Sequence, residues 1–137
     1  MMRKADFPTR FRSSVAGAAL LIALSSPAFA GDYGKEVSTA SDHAGYAAIS
    51  ETIADAHAHL HQTINCLVGP TGAGFDATVG NPCQSQGDGA MADTTDAGKK
   101  QVLENAVTRA QAGLASDDLG TATSAGADVQ AMLEQAL

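Results

Sequence analysis

Two cysteines, Cys66 and Cys83, stand where a helical pattern ends and a glycine-rich stretch begins. Gly69-Pro70 comes three residues after Cys66, and proline cannot continue a helix. Gly69, Gly72, Gly74, Gly80, Gly87 and Gly89, with Pro70 and Pro82, fall within 68–95. A bridge between the two cysteines encloses 16 residues. It would stabilise the fold by about 3 kcal/mol on a chain-entropy account. Whatever the remainder of the chain does, it must accommodate a helix end tied to the far side of a long loop.

Whether the cysteines pair depends on the compartment, and the N-terminus speaks to that. Arg3, Lys4, Arg10 and Arg12 precede a short apolar run, Val15 to Leu24, and Ala28-Phe29-Ala30 closes it. This is the pattern of a secretory leader ending in an A-x-A cleavage site. Ten apolar residues fall short of the ~20 that a membrane-spanning helix needs. We expect 1–30 to be a signal peptide, a mature chain starting at Gly31, and no stable membrane insertion after cleavage. In an oxidising compartment two cysteines pair, so a Cys66–Cys83 disulfide is expected.

Removal of the leader takes away half of the basic residues. Lys35, Lys99, Lys100 and Arg109 then face 14 acids, a net charge of −10. Such a chain repels phosphate backbones, so nucleic acid is excluded as a partner. A cation or a basic envelope protein fits better. The mature chain has no Trp and much Ala, which points to a thin, helix-packed core.

Apolar spacing sets the expected elements. Residues 31–40 show no clear period and read as a mobile arm. Tyr46, Ile49, Ile53, Leu60, Ile64 and Leu67 recur at helical intervals, which predicts a first helix over 41–67. Residues 68–95 form the loop, with Phe75 expected to tuck onto the core. Thr94-Thr95-Asp96 can cap a second helix over 96–114, and Ser116-Asp117-Asp118 a third over 117–136. Gly120 and Gly126 in that third helix are read as points of close approach to a neighbour. The fold class is therefore all-α. Residues 31–137 are expected to form one domain, a small antiparallel three-helix bundle with a long disulfide-pinned Gly-rich loop between the first and second mature helices.

All four histidines lie within the first predicted helix, and three of them, His57, His59 and His61, stand close together. His57 and His61 are four apart and share a face, while His59 points away at ~100° per residue. His43 returns to the same face but sits about 27 Å along a continuous helix. The pair His57 and His61 is the candidate metal site, since H-x-x-x-H lets two imidazoles reach one Cu, Zn or Ni ion. Asp76, Asp88, Asp93, Glu104 and Asp128 are the candidates for a third ligand. With reduced thiols, His57, His61, Cys66 and Cys83 would make a four-ligand zinc site, and secretion argues against that. Ala58 stands where a zinc protease needs Glu, so that class is excluded. The chain lacks C-x-x-C-H for haem and G-K-[ST] for nucleotide phosphates. It has neither a calcium-loop aspartate pattern nor a G-x-S-x-G elbow.

The run Ile64-Asn65-Cys66-Leu67-Val68-Gly69-Pro70, followed by Phe75-Asp76, Asn81-Pro82-Cys83 and Gly87-Asp88-Gly89-Ala90, resembles one in uncharacterised small secreted bacterial helical proteins. The Ala-rich helices with spaced histidines are similar to small periplasmic metal-binding proteins. The resemblance implies a secreted, periplasmic location and no particular activity. The expected function is non-catalytic binding of a transition-metal ion. The alternative is a structural or interaction module that docks an envelope protein and holds no metal.

Overall fold

The computed structural model describes residues 31–137. The expected signal peptide, 1–30, lies outside the described residues. The all-α expectation holds: the described residues form α1 (Tyr33–Ala48), α2 (Ile53–Val68), a single turn α3 (Ala90–Asp93), α4 (Ala97–Leu114) and α5 (Leu119–Glu134). No helix among them is long and apolar enough to cross a membrane.

The expected first helix over 41–67 is corrected to two helices, and the expected arm over 31–40 is part of the first of them. Both changes have local causes. Asp32 caps α1 by accepting from the Lys35 amide at 3.0 Å. The buried stripe of α1 is Val37, Ala40, Ala44 and Ala47, all fully buried, at spacings of 3, 4 and 3 residues. Further along, Thr52 accepts from the Asp55 amide at 3.1 Å, and its hydroxyl donates to the Asp55 carboxylate at 2.8 Å. That reciprocal cap starts a new helix. The chain therefore reverses through residues 49–52. Ile49, counted in the predicted stripe, is 77 % exposed at the turn.

Asp96 caps α4 and Asp118 caps α5, each accepting from the amide three residues on, at 2.9 and 2.7 Å. The described residues thus form two helical hairpins, α1–α2 and α4–α5, packed into a four-helix arrangement rather than three. The first and last helices lie side by side. Tyr33 donates from its hydroxyl to the Ala136 carbonyl at 2.9 Å, and Gly126 faces the other end of α1. A Cβ on Gly126 would lie 2.7 Å from the Ala48 nitrogen and 2.8 Å from the Ala44 carbonyl oxygen. Only a glycine lets the two backbones meet there. The same use expected for Gly120 is corrected: a Cβ there would meet only its own cap, Asp118.

Cys66 and Cys83 form the expected disulfide. It joins the last turn of α2 to the loop, and both residues are buried. Asn65, one residue earlier and fully buried, holds the other half of the loop. Its amide nitrogen donates to the Asp76 and Gly80 carbonyls, both at 2.7 Å, and its oxygen accepts from the Asp76 amide at 2.8 Å. Phe75 packs partly buried against the core, as its isolation in a polar loop implied.

Candidate functional site

The histidines fall into three different surroundings. His57 is half-buried, and its Nε2 lies 2.9 Å from the Ser116 carbonyl oxygen. A carbonyl only accepts, so Nε2 carries the proton and donates. His57 therefore ties α2 to the turn between α4 and α5. His61 Nδ1 lies 3.9 Å from Asp76 Oδ2, which makes Asp76 the one proposed third ligand found beside the His57–His61 face. Asp76 is already engaged, because Oδ1 accepts from both the amide and the hydroxyl of Thr78. Those two bonds, and to a lesser degree His61, hold its carboxyl below the usual carboxylate range.

The other candidate third ligands lie elsewhere. Asp128 pairs with Arg109 at 2.8 Å. Glu104 lines an open groove beside α4. Asp88 and Asp93 gather around Glu36. Among the described residues no three His, Cys, Asp or Glu side chains converge on a common point. The disulfide also removes both sulfurs from the four-ligand zinc alternative.

His43 and His59 show what a sequence read as one helix misses. On a continuous helix His43 would stand about 27 Å from His61 and about 24 Å from His59; the turn at 49–52 corrects that. Folding α1 back against α2 places His43 Nδ1 3.3 Å from His59 Nδ1. Buried Thr63 fixes this crossing: its hydroxyl lies 2.9 Å from the His59 carbonyl oxygen and 3.3 Å from that of Ala40. Tyr46 completes a three-ring cluster, with its centroid 5.5 Å from His43 and 5.4 Å from His59.

Protonation in this cluster follows from its partners. Gln62 Nε2 donates to the Val79 carbonyl at 3.1 Å, which turns its oxygen toward His59 Nδ1 at 3.0 Å. An amide oxygen accepts only, so the proton sits on His59 Nδ1 and the lone pair on His43 Nδ1. Burial, with the neighbouring His59 adding to it, pushes the His43 pKa down. His43 is therefore a neutral imidazole with a lone pair aimed at a second imidazole. Nothing in the local spacing of 43 and 59 signals the pair; the Thr52–Asp55 cap was the one available clue.

Comparison with family models, with curated proteins and with solved structures finds no match to this chain.

Proposed function

We propose that the protein is a secreted, periplasmic, non-catalytic binder of a transition-metal ion, Cu, Zn or Ni, and that the ion is held between His43 and His59. The observation that carries this is the 3.3 Å between their Nδ1 atoms. Two imidazoles bonded at ~2.0–2.1 Å to one tetrahedral ion have their nitrogens about 3.3–3.4 Å apart. The ion would replace the proton that His59 Nδ1 now carries, and the Gln62 amide oxygen stands beside the rings as a further oxygen donor. The neutral state of His43 favours this, because metals bind the deprotonated ring. The disulfide is compatible with an extracytoplasmic location.

Calorimetric titration of the leader-free chain with Cu²⁺, Ni²⁺ and Zn²⁺ tests the proposal. Cu²⁺ should bind most tightly, following the usual divalent order. His43→Ala and His59→Ala should each weaken binding at least tenfold, while His57→Ala and His61→Ala leave it within about twofold. The reverse ranking would return the site to the His57–His61 face beside Asp76. A wild-type chain that takes up none of the three ions would sink metal binding. The envelope-protein reading would then lead, with the open groove lined by Val68, Thr71, Met91, Val107 and Gln111 as the docking surface.

A further inference from the structure

The start of α1, at the opposite end from the histidines, carries an unbalanced charge. Glu36 is fully buried. Its Oε1 accepts from the Gly89 amide at 2.9 Å, and its Oε2 has no donor. The groups that face it are the Asp93 carboxylate of α3 and the Asp88 carboxylate of the loop. Asp93 Oδ2 accepts from the Asp88 amide at 2.8 Å, and the Asp93 carboxyl lies within hydrogen-bonding reach of Glu36, so the two acids can share a proton but not two charges. No lysine or arginine balances them: among the described residues the salt bridges are Arg109–Asp128 and His61–Asp76, and the Lys99 ammonium lies over the Tyr33 ring. Carboxylates buried together without a cation are costly.

A metal ion is a poor answer, because these carboxylates do not form a group able to hold one. The backbone supplies a better one. The Asp32 amide donates to the Gln86 carbonyl at 2.8 Å and brings Gly31 into the same corner. A Cβ on Gly31 would lie 1.7 Å from Asp93 Oδ2. A Cβ on Gly87 would lie 2.7 Å from Glu36 Oε1 and 2.8 Å from the Gly31 Cα. Gly31 thus passes directly against the Asp93 carboxylate, next to Gly87, which itself lies against Glu36.

We propose that Glu36 and Asp93 are the docking site for the chain's own N-terminal ammonium, created at Gly31 when the leader is removed. The inference rests on Ala28-Phe29-Ala30 being the cleavage site; it is independent of the metal reading. Hydrolysis by a leader peptidase gives the hydroxyl of water to the Ala30 carbonyl and a proton to the Gly31 nitrogen. At neutral pH that nitrogen takes up a second proton from solvent. A neutral amide with one donor becomes a cation with three. Glu36 Oε2 and Asp93 gain the donor and charge they lack, and cleavage locks the start of α1 onto the loop.

The uncut chain has a signature. Burial, reinforced by Asp93 and Asp88, pushes the Glu36 pKa up to about 7. The folded pKa lies above the unfolded one, so this group's contribution to stability is full below about pH 4.5 and is lost as pH rises through about 7. A docked ammonium favours the carboxylate and removes that loss.

The test uses the full chain with a site-specific protease sequence placed immediately before Gly31. One sample is measured before and after the cut. Cutting should raise the melting temperature more at pH 7.5 than at pH 5, where Glu36 holds its proton and Asp93 is left as the amine's partner. The freed Gly31 amine, followed by ¹⁵N NMR, should titrate at least one unit above the ~7.7–8.0 of an ordinary α-amine. Glu36→Gln, and independently Asp93→Asn, should lower that value and shrink the gain from cutting. Acetylating the freed amine should abolish the gain. An amine that titrates normally, with a melting temperature indifferent to the cut, overturns the docking site. Secreted protein that begins at any residue other than Gly31 overturns its natural use, and sequencing its N-terminus shows which has failed.

Discussion

The seam between α1 and α5 and the loop over 69–89 are held in opposite ways. The seam is made of small side chains. Ala44 and Ala47 are fully buried on α1, and Gly126 brings the α5 backbone against Ala44 and Ala48. Its stability comes from close contact spread over many atoms. The loop has few apolar contacts of its own. Its strongest pins are two adjacent residues at the end of α2, Asn65 through three hydrogen bonds and Cys66 through a covalent bond, with single hydrogen bonds from Gln62 to Val79 and from Asp32 to Gln86 beside them. A distributed seam fails by being pushed apart, and a pinned loop fails by losing a pin.

The largest effect is expected from Gly126→Leu. The new side chain must displace backbone atoms of α1, so we expect at least 3 kcal/mol of lost stability in urea melts, at the upper end of overpacking costs. Gly126→Ala sharpens the point. On helix propensity alone it should gain about 1 kcal/mol; a net loss shows that the contact dominates. Replacing both cysteines with alanine should cost about 3 kcal/mol while leaving helical circular dichroism intact. Asn65→Ala should cost about 2–3 kcal/mol, at about 1 kcal/mol for each bond removed. The two loop changes should combine to less than their sum, since adjacent residues of α2 anchor neighbouring stretches of one loop and loss of either loosens the hold of the other, whereas Asn65→Ala and Gly126→Leu should add. Strict additivity of the loop pair would mean that Asn65 and the disulfide hold separate pieces. The smallest effect is at the α1–α2 turn, where Thr52→Ala should cost about 1 kcal/mol as the cap is lost. If it also weakens metal uptake, the turn sets the spacing of His43 and His59.

Local chemistry made part of this legible. The Asp96 and Asp118 caps, the cysteine pair and the inward Phe75 follow from residue type and spacing, whereas the α3 turn inside the expected loop over 68–95 was not foreseen. The α1–α2 break was hidden because Ile49 extends an apolar period across it, although Ile49 ends up exposed. The stripe Val37-Ala40-Ala44-Ala47 was equally hard to see, since alanine is common on both faces of helices. A count weighted toward large residues therefore read 31–40 as an arm. Of the candidate sites, the relation of His57 to His61 on one face was visible, while His57's bond to Ser116 bridges 59 positions. The His43–His59 pair and the Glu36 corner depend on chain reversal, and a lone glutamate near a helix start reads as solvent-facing.

The pairing of the first helix with the last has a consequence for how the chain is made. The face of α1 that carries Ala44 and Ala47 is covered by α5, and Tyr33 reaches to Ala136, the penultimate residue. A ribosome adds residues at only ~5–20 per second. For the several seconds between synthesis of α1 and release of α5, the first helix has no partner for that face. The chain therefore cannot close vectorially, N-terminus first. It stays open until its last helix is free, which is the state a polypeptide must keep while it is threaded through a narrow translocation channel.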